Sequence, residues 1–279
     1  MKKILLSLGV LVFAVAVVAG GTGAFFSDTE TSTGNTFTAG EIDLGVDNHS
    51  YYNGILNPET TWRVTYDLDE GGPHQFFNFN DLKPGDWGED TISLHVNNND
   101  SWLCADVKLT SDDDNGINEP EGDDGDVTDG AGFGELADAV NFYWWADDGD
   151  NVFETCGLNS PTDCVDETLL PAGSLGNLDV NETATVALAD SSNNIWTGQS
   201  NDPLDPADVR FVAKAWCFGD SDMGPYDQDG GNQQSGPDVR PVICNGENEN
   251  NITQTDSLTA DITFRAVQSR NNGSFTCAL

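Results

Sequence analysis

An all-β sandwich is the fold class that this 279-residue sequence predicts, and three observations predict it. Short segments of alternating apolar and polar residues, rich in β-branched and aromatic types, recur along the chain. Clusters of Gly, Asn, Asp and Pro separate them, as turns separate strands. Past the first apolar stretch no segment sustains a helical period, save one or two turns over Gly134 to Ala139.

The elements follow in order. Met1-Lys2-Lys3 is a positively charged start, Ile4 to Ala19 an almost unbroken apolar run, and Thr22-x-Ala24 offers the small residues a signal peptidase accepts. Residues 1–24 therefore read as an export signal helix, cut at Ala24–Phe25 by the small-residue rule, with Phe25–Phe26 as the other open bond. Residues 25–45 form a processed N-terminal segment, and residues 46–279 the sandwich body. Ile42 to Val46 and Trp62 to Leu68 are the weaker strand signals. Leu82-Lys83-Pro84-Gly85-Asp86 is turn chemistry, with Pro presetting φ and Gly supplying a positive φ. It launches Thr91 to Val96, where alternation puts Ile92, Leu94 and Val96 on one face. Trp102 to Leu109 follows the Asn97 to Asp100 turn. Val140 to Trp145 reads as a strand buried on both faces. Thr183 to Leu188, Val209 to Trp216 and Leu258 to Val267 complete the set. Long polar excursions cover Ser111 to Gly132, Asp147 to Val165 and Gly219 to Thr255; loops of this length are functional, metal-ordered or disordered.

Composition excludes several function classes. The chain holds 10 basic and 48 acidic residues. Removing residues 1–24 takes away two lysines and no acid, leaving 8 against 48, a net charge of −40. Such a surface repels nucleic acid and anionic lipid, so the membrane is met only through the uncleaved signal. The acidity suits a protein solvated in high salt or one that binds divalent cations. Six cysteines in an exported chain predict three disulfides. Of fifteen connectivities, the short Gly/Asn/Ser/Pro span singles out Cys156–Cys164. Cys217 with Cys244 brackets a second polar excursion, and Cys104 with Cys277 follows by elimination. Zinc is the rival use of these thiols, but no C-x-x-C spacing exists and His49, His74 and His95 do not cluster with them.

Calcium takes six to eight oxygens, and glycine lets a short loop wrap an ion. Asp147-Asp148-Gly149-Asp150-Asn151 with Glu154 meets that need best, so Asp147, Asp148, Asp150 and Glu154 are the candidate Ca2+ ligands. The acidic stretches from Asp112 to Asp129 and from Asp227 to Asn232 are further candidates, and a solvated acidic loop is the alternative for each. Catalysis finds no constellation: there is neither H-E-x-x-H nor G-x-S-x-G. Trp87, Trp102, Trp144, Trp145, Trp196 and Trp216 read as core rather than as a sugar platform. Sequons begin at Asn48, Asn99, Asn181, Asn251 and Asn272.

Phe25 and Phe26 would begin the mature chain, and with Phe37, Ile42 and Leu44 they punctuate a Thr/Ser-rich, β-prone stretch. Such a segment can add to a sheet edge in a neighbouring molecule, and repeated head to tail the contact makes a filament. It can equally pair within its own domain, or remain a free tail. Ala24-Phe25-Phe26-Ser27-Asp28-Thr29-Glu30-Thr31-Ser32, Asn35-Thr36-Phe37-Thr38-Ala39-Gly40 and Ile42-Asp43-Leu44 resemble the processing region of the TasA/camelysin family. Leu82 to Asp86 and Phe264 to Asn272 resemble it too. The resemblance implies a jelly-roll-like β-sandwich, cleavage by a SipW-type signal peptidase, and a secreted life at the cell surface or in the extracellular matrix. It also implies assembly of fibre-forming members through the processed N-terminus. The expected function is a matrix or surface structural protein, with a camelysin-type metalloprotease and a carbohydrate-binding module as alternatives.

Overall fold

The computed structural model describes residues 42–66, 68, 74–157, 160, 164–170, 173–228 and 236–277. In chain order the strands are β1 (Asp43–Tyr52), β2 (Ile55–Leu56), β3 (Trp62–Thr65), β4 (Trp87–Asn97), β5 (Ser101–Asp114), β6 (Gly130–Ala131), β7 (Val140–Asp147) and β8 (Glu154–Thr155). Then come β9 (Gly173–Ser174), β10 (Thr183–Ala189), β11 (Val209–Phe218), β12 (Asp220–Asp222), β13 (Tyr226–Asp227), β14 (Ile243–Asn245) and β15 (Ser257–Gln268). The α-helices among the described residues are short: α1 (Glu119–Asp124) and α2 (Leu136–Ala139).

The larger sheet has the order β2-β1-β4-β11-β7-β9, with β3 also on β1; the smaller runs β10-β5-β15, with β6 on β5. Both are antiparallel. From β5 onward the long strands β5, β7, β10, β11 and β15 alternate between the sheets, the crossing connectivity of a jelly-roll-like sandwich. The core lies between them. Period-2 alternation sends Ile92, Leu94 and Val96 of β4 inward, all fully buried, against Leu103, Ala105 and Leu188 of the facing sheet. Ile262 and Phe264 of β15 pack against the same cluster.

The outer face of the larger sheet is not left to water. Trp145, Ala213 and Ala215 are covered by Phe153, Met223 and Val242 from the second and third excursions. For that reason Val140 to Trp145 is buried on both sides, Trp144 inward and Trp145 outward. The disulfide Cys217–Cys244 fastens the third excursion to β11, Cys156–Cys164 closes a loop after β8, and Cys104–Cys277 ties β5 to the segment after β15. That segment also accepts the Trp102 indole N–H at the Asn272 carbonyl, 2.9 Å away.

Two positions need glycine. Gly85 sits at φ +91° in the turn where the Asp86 N–H donates to the Lys83 carbonyl at 2.8 Å, so a side chain there is strained. Gly88 pairs with Trp216 across the sheet, and a Cβ on it would fall 2.4 Å from the indole nitrogen.

Several strands outrun their sequence signals. β1 extends to Tyr52 although Asn48 and Ser50 look like loop residues. Both are buried, and Asn48 Nδ2 donates to the Thr60 carbonyl at 2.7 Å while Thr60 Oγ1 donates to Ser50 Oγ at 2.8 Å. β1 thus begins at Asp43. β5 continues through Ser111 to Asp114, the start of an expected loop. α1 was not expected; Asn118 caps it by accepting from the Glu121 N–H while the Glu121 side chain accepts from the Asn118 N–H.

One ion pair is sealed inside the sandwich. Lys214 of β11 and Asp90 of β4 are cross-strand partners with Nζ and Oδ2 2.6 Å apart, 0% and 1% exposed. Asn48 Nδ2 donates to the other Asp90 oxygen at 3.1 Å. The ammonium lies 5.3 Å from the Phe77 ring centroid and 6.0 Å from that of Phe142.

Candidate functional site

β15 stands at the edge of the smaller sheet. β5 pairs with one side of it, and among the described residues no strand pairs with the other. An open edge of this kind is a template for a further strand. Beside its first half, Ser257 to Phe264, runs a groove of about 960 Å³, whose other wall is residues 74–82. Those residues carry no strand pairing. Phe76, Phe79, Phe142, Leu258, Ile262 and Phe264 line the groove. Phe76 is wedged between Trp62 and Phe264, with ring centroids 5.0 and 6.0 Å away. A groove with aromatic side chains beside an unpaired edge is a geometry that can take an extended segment: main-chain bonds bind it and alternate side chains enter the groove. No sequence signal marks residues 74–82 as a wall.

The signal 1–24, the Ala24–Phe25 bond, Phe26 and Phe37 lie outside the described residues. Ile42 immediately precedes β1. Leu44 is inside β1, opposite Val96 of β4, and packs on the core. It is committed to its own sheet.

The three histidines are kept apart. His49 is exposed on β1. His95 pairs with Asp47 at 2.8 Å; it stands opposite Gly45, four residues along β1 from His49, a separation of about 13 Å at strand rise. His74 lines the groove, its Nδ1 3.0 Å from the Leu68 carbonyl and its ring edge-on to Trp62. All six cysteines are in disulfides. Trp102, Trp144, Trp145 and Trp216 are buried and offer no face to a sugar.

Of the acidic residues singled out after β7, Asp147 and Asp148 converge with Glu167, which the sequence reading missed, each offering one oxygen within 4.8 Å of the others. Asp150 is outside this trio, and its Oδ1 accepts from the Val152 N–H at 2.9 Å. Glu154 is buried in an ion pair with Arg240. The trio is furnished with donors. Asp147 accepts from the Trp145 indole and from the Gly149 and Asn151 N–H groups, and Glu167 from the N–H groups of Asp148 and Glu154. Burial, then repulsion from Asp150 and Asp148, holds Asp147 well above the usual carboxylate range. Burial and the Asp147 charge push Glu167 up to about 10.

Glu89, on the outer face of β4 nearby, is fully buried and pushed up to about 8, by burial first and by the charges of Asp147, Asp90 and Asp150 next. The unfolded chain loses this proton near 4.5, the fold only near 8. Its contribution to stability is therefore complete below pH 4.5 and is lost as pH rises to 8. The melting temperature at pH 5 is expected to exceed that at pH 8 at fixed ionic strength. Glu89→Gln should remove a share of that difference on the order of a few kcal/mol. An unchanged pH slope in the variant would contradict the assignment.

A second cluster joins Asp114 at the end of β5, Glu135 before α2 and Asp256 before β15. Burial, then mutual repulsion, raises Asp256 to about 6; burial, then repulsion from Asp126 and Asp114, raises Glu135.

A family model described as camelysin metallo-endopeptidase matches residues 1–203, ending before β11. No curated protein matches the chain.

Proposed function

The chain belongs to the camelysin family, and from that premise we propose that it is an exported structural subunit that polymerises outside the cell. Residues 25–41 of one copy enter the groove beside β15 of the next. The single observation that carries this reading is the unpaired edge of β15 flanked by a groove of mixed lining that includes several aromatic rings. The occupant is argued from length and chemistry. Eighteen residues, 25–42, precede β1 after the expected cut, enough to span roughly 60 Å when extended, and Phe25, Phe26 and Phe37 suit the aromatic side chains of the groove. Cleavage by a SipW-type peptidase would free that end only after export, confining growth to the cell surface or matrix.

Charge sets the conditions. The segment carries Asp28, Glu30 and Glu41 and no basic residue, and Asp81, Asp256 and Asp261 border the groove. Assembly should therefore strengthen as salt screens the repulsion.

The family's description speaks of a metal-dependent peptidase. The donors of this chain do not fit a catalytic zinc: its histidines sit at three separate places, its thiols are all bridged, and the convergent groups among the described residues are carboxylates. That mismatch supports the structural reading over the proteolytic one.

The test uses mature protein with and without residues 25–40, a deletion that leaves β1 whole. Expected are filaments by electron microscopy from the first and monomers from the second. A synthetic 25–41 peptide should slow amide exchange at Ser257 to Phe264 of the truncated protein. Filaments that survive the deletion, or a peptide that leaves β15 exchange untouched, would overturn the proposal. Chelator-sensitive cleavage of casein would favour the peptidase.

A further inference from the structure

Four carboxylates around the start of β15 share one pattern. Each uses one oxygen in a structural hydrogen bond and leaves the other buried without a partner. Asp114 Oδ1 accepts from the Gly116 N–H at 2.8 Å, and Oδ2 is bare. Asp126 Oδ1 accepts from the Thr128 N–H at 2.9 Å, and Oδ2 is bare. Glu135 Oε1 accepts from Thr128 Oγ1 at 2.9 Å, and Oε2 is bare. Asp256 Oδ2 accepts from the Glu135 and Leu136 N–H groups at 2.6 and 2.9 Å, and Oδ1 is bare. Buried polar atoms in folded proteins are almost always satisfied, so four orphans in one place call for a ligand.

Their spacing says which. Oxygens from Asp114, Glu135 and Asp256 lie within 4.8 Å of one another, the span that two ligands at about 2.3–2.6 Å from one calcium ion can occupy. Asp126 is a separate observation, since it is not one of that trio. It is 8% exposed, and the Thr128 hydroxyl that reaches Glu135 at 2.9 Å also reaches its Oδ1 at 3.0 Å, so Asp126 borders the same cluster. Asp114 is 2% exposed. None of the four is ion-paired with a basic side chain among the described residues. The Asp147–Asp148–Glu167 trio differs because backbone and indole donors already meet Asp147 and Glu167.

We propose that Asp114, Asp126, Glu135 and Asp256 form a calcium site that fastens the start of β15 to the end of β5. A donor set made of oxygens alone selects a hard cation over zinc or copper. Four carboxylates in one cage suit calcium, whereas magnesium keeps more of its water. The ligands come from four stretches: the end of β5, the loop after α1, the approach to α2, and the residue before β15. Asp256 also lines the groove, so loading fixes one end of that wall. The site stands on its own geometry, whatever the fate of the fibre reading.

The test is calorimetric titration of mature protein with calcium chloride, with magnesium chloride as control, alongside thermal melts in calcium and in chelator at one ionic strength. Wild type should bind calcium and melt roughly 5–10 °C higher at a hundredfold excess over Kd. Asp114→Asn and Glu135→Gln should abolish that gain yet melt no lower than wild type in chelator, since each relieves repulsion. A purely structural carboxylate would lower both melts. Glu167→Gln should keep the full gain. Should a variant fail to fold, hydrogen exchange on wild type decides, with calcium expected to slow residues 126–136 and 255–258. Absence of calcium binding, an undiminished gain in the variants, a gain lost with Glu167→Gln, or unchanged exchange at those residues would overturn the assignment.

Discussion

Lys214→Met is expected to destabilise the folded domain by about 3–5 kcal/mol, the cost of leaving a buried carboxylate without its counter-charge. Asp90 is 1% exposed and its Oδ2 depends on Lys214 at 2.6 Å, while the Asn48 amide holds its other oxygen. The reverse change, Asp90→Leu, strands the ammonium and should cost about as much. The double variant separates the pair from its burial: with both charges gone, apolar side chains can fill the space, and most of the lost stability should return. Urea unfolding of the four proteins closes the cycle. A single-variant loss under about 1 kcal/mol would mean that water reaches the pair. The effect bears on function because the ammonium lies against Phe77 and Phe142. Residues 74–82 form one wall of the groove, so losing the charge loosens that wall as well as the core.

Replacing Cys104 and Cys277 together with alanine is the second large effect. The bridge spans 173 residues, and the chain-entropy account gives about 5 kcal/mol for a loop of that size. Cys156–Cys164 spans 8 residues and should be worth roughly half as much. The measurable outcome is an ordering of denaturant midpoints, with the 104/277 double variant lowest. It should also show a steeper m-value, because the unfolded chain is then free to expand. A smaller loss than that of the 156/164 variant would show that residues 269–277 hold their place by contacts such as Trp102 to Asn272.

The strands were legible because alternation and turn chemistry are local: β4, β7, β10, β11 and β15 lie where their side chains said they would. Polar residues that are buried broke the legibility. Asn48 and Ser50 made β1 look short, and the alternation of Arg210, Val212, Lys214 and Trp216 gave no hint that a lysine points inward. α1 did announce itself, through Asn118, a proline at Pro120 and Glu121, and could have been read as a capped helix. The carboxylate cluster could be read only in part: Asp114 and Asp126 lie in the acidic stretch from Asp112 to Asp129, but Glu135 and Asp256 join Asp114 only when β5 and β15 pair. Composition drew attention instead to the denser run after β7.

The outermost bridge has a kinetic consequence. In any vectorial process Cys104 emerges 173 residues before its partner and meets Cys156, Cys164, Cys217 and Cys244 first. The two inner bridges join neighbours in sequence and can close as they appear, whereas the outer one encloses them and must close last. Premature oxidation would therefore trap shuffled isomers. The molecule's yield should depend on how slowly oxidant arrives, or on an isomerase that lets Cys104 change partners until the chain is complete.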